Sequence, residues 1–166
     1  EKLVKTFLMN KIDTLSFKIY VDADACPTKT ETITIATRHN ITVHIVSNGG
    51  IRPSTNPLVK TIVVDSGPDK ADNWIVDHIL RKDIVITSDI PLADQSLKKG
   101  AYVVSHSGET IDEKNIGLKI ASRNLMSDIR SADPYHRAKG KDYSKSNRIR
   151  YVNALEKVIQ TIKKSL

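Results

Sequence analysis

Residues 19–29, IYVDADACPTK, run an apolar stretch into two carboxylates, Asp22 and Asp24, one residue apart. Ile, Tyr and Val in succession predict a buried β-strand. Carboxylates at the end of such a strand repel each other, and their burial is costly unless a cation or donors offset the charge. Two readings follow. Either this is a polar turn in which Asp24 caps the next helix, or it is part of a metal site.

Beyond this stretch the pattern repeats. Short Ile- and Val-rich runs predict strands over 18–22, 41–46, 61–64, 84–87 and 102–104. Helices are predicted between them over 28–39, 69–82 and 92–99, and after them over 115–130 and 148–164. In the second helix Ala71, Trp74, Ile75, His78 and Ile79 share one face, which places His78 on the packed side. Strands alternating with helices predict an α/β fold: a mostly parallel five-stranded sheet between two helical layers, with a C-terminal helical extension. The 166 residues suit one domain, taken as 18–166 after an N-terminal extension over 1–17 in which Met9 offers an alternative start.

No apolar run approaches the ~20 residues of a membrane span, and no secretory signal pattern opens the chain. The single cysteine, Cys26, excludes an internal disulfide, and together these features predict a cytoplasmic protein. The net charge of +7 is unevenly spread. Residues 119–166 carry 12 basic against 4 acidic side chains, while the rest of the chain is near neutral. A basic tail on a neutral body predicts a polyanionic partner, most simply nucleic acid.

In parallel α/β sheets, function collects at the carboxyl ends of the strands. Asp22 and Asp24 belong there after the first strand, and Asp89 after the fourth in DIVITSDIPLAD. Asp69 and Asp72 stand three apart at the start of the second helix, where Asp69 also reads as a cap. Carboxylates delivered by separate segments suit a hard cation such as Mg²⁺, which takes oxygen ligands. No His and Cys spacing suits zinc. DADACP lacks the glycines of a dinucleotide loop, and CPTKTET lacks the arginine that a cysteine phosphatase requires. Cys26 is read as a small packed residue whose thiolate the neighbouring carboxylates disfavour. One rival enzyme class remains. Asp22-x-Asp24, VHIVSN with Ser47, and Asp89 with Asp94 resemble the haloacid-dehalogenase-like phosphatases, in which Asp22 would be the nucleophile and Asp24 the general acid.

VDADACP, the VSN after the second strand, DKADNWIVDHI, DIVITSDIPLAD, and NIG followed by RNLMSDIR resemble the bacterial YaiI/YqxD family over residues 19–155. ADNWIVDHILRKDIVITSD is also similar to the PIN-domain pattern of a helix Asp, a strand and Thr-x-Asp. The resemblance implies a PIN-like fold, grouped with metal-dependent ribonucleases. It assigns Mg²⁺ or Mn²⁺ to Asp22, Asp72 and Asp89, with Asp24 and Asp69 in support. The further helix acid of PIN nucleases has no counterpart, because residues 32–64 contain neither Asp nor Glu. The expected activity is hydrolysis of a phosphodiester, in RNA. Arg52, in the SNGGIRPSTNP loop, is a candidate phosphate contact, and Arg148 and Arg150 in the basic tail are candidate backbone contacts. A phosphatase of the dehalogenase type and a non-catalytic RNA-binding protein are the alternatives.

Overall fold

The computed structural model describes residues 17–24, 26–133 and 143–166. A central sheet holds β1 (Ile19–Asp22), β2 (Val43–Ser47), β3 (Val59–Val63), β4 (Ile84–Ile86), β5 (Tyr102–Val104) and β6 (Thr110–Ile111) in the order β3-β2-β1-β4-β5-β6. All pairings are parallel except β5 with β6. The helices are α1 (Lys29–Arg38), α2 (Lys70–His78), α3 (Ile90–Lys98), α4 (Ile116–Ala132) and α5 (Lys145–Ser165).

Alternation along the strands sorts side chains into two cores, because successive residues point to opposite faces. Ile19, Val21, Val43, Ile45, Ile84 and Ile86 pack against Ile35 and Ala36 of α1 and against Tyr151, Leu155 and Ile159 of α5. Tyr20, Val46, Val85 and Val103 face the other way, onto Ala71 and Ile75 of α2 and Leu92 and Ala93 of α3. With both faces covered, β1 and β4 are almost continuously apolar, as buried parallel strands are. The fold is therefore a three-layer α/β/α domain. Phe17 is already buried in the first core, while the rest of the predicted N-terminal extension, including Met9, lies outside the described residues. So does most of the polar stretch before α5.

The five expected strands are joined by β6, a two-residue edge strand too short to leave a signal in sequence. The helices differ from expectation at their ends, α5 beginning three residues early at Lys145 and α4 running on to Ala132, and two of the differences bear on the site. α2 stops at His78 rather than running to residue 82, because Ile79 turns to extended backbone. The buried Asp83 carboxylate then gathers the chain, accepting from Leu80 N at 2.8 Å and Lys18 N at 2.9 Å. α3 starts two residues early, at Ile90, with Pro91 in a first turn that needs no N–H from it. His78 is exposed, not packed; its ring stacks on Trp74 at 3.7 Å, and Nδ1 bonds the Trp74 carbonyl at 2.7 Å. The buried face of α2 is instead Ala71 and Ile75.

Candidate functional site

Asp22 ends β1 and Asp24 follows it. Asp89 follows β4, and Asp69 and Asp72 open the helix that follows β3. Since these three strands are parallel, all five carboxylates reach the same edge of the sheet, the edge where the strands end. Their mutual effect is visible in Asp72. Burial, and then the charges of Asp22, Asp89, Asp69 and Asp24, push its carboxyl up to about 6. Burial also raises Asp22, with Asp89 and Asp24 adding to the effect and a hydrogen bond from Thr87 opposing it.

Three of these acids are each held by one oxygen. The Thr87 hydroxyl donates to Asp22 Oδ2 at 2.9 Å and accepts from the Asp89 N–H at 3.0 Å, so one buried side chain ties two site residues together. Asp89 Oδ1 accepts from Leu92 N at 2.9 Å and caps α3. The Ser47 hydroxyl shares its proton between Asp24 Oδ1 at 3.2 Å and the Gly49 carbonyl at 2.9 Å. Among the described residues, the second oxygen of each carboxylate accepts from no side-chain or backbone donor and faces a ligand unengaged.

Capping falls to different residues than expected. Asp24 caps nothing, because α1 begins at Lys29 with Thr28 before it. Asp69 occupies the N-cap position of α2 in the left-handed region, φ 63°, without a side-chain capping bond. The acid that does cap is Asp89.

The donor set is all oxygen and crowded with negative charge, which suits a hard divalent cation. As placed, no three Asp, Glu, His or Cys side chains among the described residues stand close enough to hold one ion. A cation would have to draw the free oxygens of Asp22, Asp72 and Asp89 inward.

The other expected groups separate. Arg52 is exposed in the loop between β2 and β3. Arg148 is paired with Glu31 of α1 at 2.8 Å, whereas Arg150 has no ion pair among the described residues. Asp94 pairs with Lys98 at 3.1 Å along α3. Cys26 is buried, and burial raises its thiol. It contacts Thr28 Oγ1 and His106 Nδ1, both at 3.3 Å. Thr87 and His106 lie outside the expected acid set. The Thr87–Asp89 spacing marks the first, since a hydroxyl two residues before an N–H is placed to accept from it. Nothing in VSHSGET marks the second.

No described helix is long and apolar enough to cross a membrane. No solved structure matches the chain. Among curated proteins, a UPF0178 protein of Roseobacter denitrificans is 49% identical over 142 residues, covering 86% of this chain and 94% of its own. One of Ruegeria pomeroyi is 50% identical over 143 residues, covering 86% and 93%. One of Parvibaculum lavamentivorans is 47% identical over 147 residues, covering 89% and 96%. The model of the YaiI/YqxD family, described as uncharacterised, matches residues 20–161, and the chain belongs to that family.

Proposed function

We propose that the chain is a PIN-like, Mg²⁺- or Mn²⁺-dependent nuclease that hydrolyses phosphodiester bonds in RNA. The observation that carries this reading is the gathering of five carboxylates from three strand ends onto one edge, with Asp72 raised to about 6 by burial and by the other four. Such a concentration of charge opposes folding unless a bound cation offsets it, and perturbed groups of this kind cluster at functional sites.

In this reading Asp22, Asp72 and Asp89 hold the cation, and Asp24 and Asp69, both exposed, orient water. A bound cation would supply charge stabilisation at the scissile phosphate and a more acidic water. Thr87 fixes Asp22 and Asp89 relative to each other, and the α3 cap fixes the direction of Asp89. Arg52 extends the edge toward a phosphate.

The test is a panel of RNA, DNA and small phosphomonoesters with Mg²⁺ or Mn²⁺, against a chelator control. RNA cleavage that the chelator abolishes, and that is lost in Asp89→Asn with RNA binding retained, is the expected outcome. Hydrolysis of monoesters alone, with a phosphoryl group trapped on Asp22, would instead establish the dehalogenase-type chemistry. RNA binding with no turnover under either metal would leave a non-catalytic RNA-binding protein.

A further inference from the structure

A cavity of about 520 Å³ opens beside the carboxylate edge, and its lining includes Ser88, His106, Glu109, Tyr143, Asn147 and Arg150. Four segments build it: the turn after β1, the turn after β4, the β5–β6 loop and the first turns of α5. Ser88 adjoins Asp89, so the cavity and the acids share a wall. Its volume falls within the ~300–1,000 Å³ of ligand sites, enough for a nucleotide unit rather than a lone ion.

Its chemistry is that of a donor set. Ser88 Oγ accepts from His106 N at 3.4 Å, which leaves its own proton for another acceptor. His106 Nδ1 is engaged with Cys26 Sγ. With Nδ1 turned to the sulfur, Nε2 is the ring nitrogen left to meet a ligand. Burial holds His106 below its ordinary value, hence neutral at pH 7. Asn147 adds an amide. Arg150 adds a guanidinium with no ion pair among the described residues. The one lining carboxylate, Glu109, is answered by Lys119 at 2.7 Å. The N-terminal end of the 21-residue α5 adds its positive dipole.

The wall is also closely packed. Gly108, at φ +85°, lies so close to α5 that a Cβ there would meet Arg150 C at 2.4 Å and Tyr151 N at 2.5 Å. The β5–β6 loop is therefore seated directly on the backbone that carries Arg150.

We propose that this cavity is a phosphate subsite, in which Arg150, Ser88, His106 and Asn147 hold a phosphate of an RNA strand adjacent to the one at the carboxylate edge. It rests on the nuclease reading for the identity of the strand alone. It also assigns unequal roles to the two tail arginines: Arg150 binds, while Arg148 is spent on Glu31.

The test is titration of the full chain with a short single-stranded RNA in chelator, where no turnover occurs, following affinity and the His106 ring signals by NMR. RNA should shift those signals, inorganic phosphate should compete for the same shifts, and Arg150→Ala should weaken RNA binding about tenfold or more. Arg148→Ala should weaken it by less. Both substitutions are at exposed helical positions, and circular dichroism verifies folding. Equal effects of the two substitutions, or RNA that leaves His106 unmoved, would overturn the subsite. Because cleavage is not read, failure of the nuclease panel leaves this result standing, and the reverse also holds.

Discussion

α4 and α5 are both long, basic and amphipathic in sequence, yet they do opposite things. α5 buries Tyr151, Leu155, Val158, Ile159 and Ile162 against β1 and α1, and the Tyr151 hydroxyl bonds Thr32 of α1. α4 buries no residue at all; Leu118 and Leu125 stand 74% and 60% exposed. What separates them is position. α5 returns beside α1 across a face of the sheet that α1 covers only in part, whereas α4 leans on α3, a helix that has already spent its apolar side on the sheet. Helical periodicity states that a face is apolar, not that anything is there to meet it.

The contrast is broken or sharpened by four substitutions. Leu155→Ala deletes a fully buried side chain and should cost about 2–5 kcal/mol in urea unfolding; a loss under 1 kcal/mol would mean that α5 is not part of the core. Gly108→Ala drives a methyl into the α5 backbone from a left-handed position and should cost about 1–3 kcal/mol. It should also speed amide exchange in α5, and a neutral result would refute the close seating of that loop.

Burial at Asp72 acts in the opposite direction to burial at Leu155. Its carboxyl titrates at about 6 in the fold against 3.8 as a free group, so the folded state holds its proton over a range where the unfolded state does not. Stability therefore falls as pH rises from about 4 to about 6. Asp72→Asn should stabilise the chain by about 1 kcal/mol at pH 7, after allowance for solvent screening, and by nothing at pH 3.5. A benefit that persists at pH 3.5 would assign it to something other than charge. Smallest of all, Leu125→Ala should change stability by no more than about 0.5 kcal/mol. A larger loss in dilute monomer would show that α4 packs on more than α3.

Much of the architecture is written locally. β1 and β4 are legible because strands buried on both faces need apolar residues at every position, and the acids at their ends stand out against that background. Asp83 is where local reading fails. Its carboxylate ends α2 by binding N–H groups of Leu80 and of Lys18, and the latter is 65 residues away. The same holds at the candidate site. Asp22, Asp72 and Asp89 are visible as carboxylates at strand and helix ends. The Thr87 link, the pairing of Arg148 with the half-buried Glu31 and the wall that Gly108 forms with α5 all depend on distant segments meeting. Arg148 and Arg150 look equivalent two residues apart; Glu31 of α1 on one side and the β5–β6 loop on the other distinguish them.

The place of α5 after every strand of the sheet has a consequence for biosynthesis. β1 and α1 emerge early from the ribosome, and the apolar surface they make with β2 and β4 waits for α5 to cover it. The Thr32–Tyr151 bond joins residues 119 positions apart, so no intermediate length of nascent chain can close that side. Until α5 has been translated, the part of this face that α1 leaves open is a wet apolar surface of the kind that chaperones bind and that neighbouring chains aggregate through. Closure of this face therefore waits on the element that follows all six strands, however early the first strand appears.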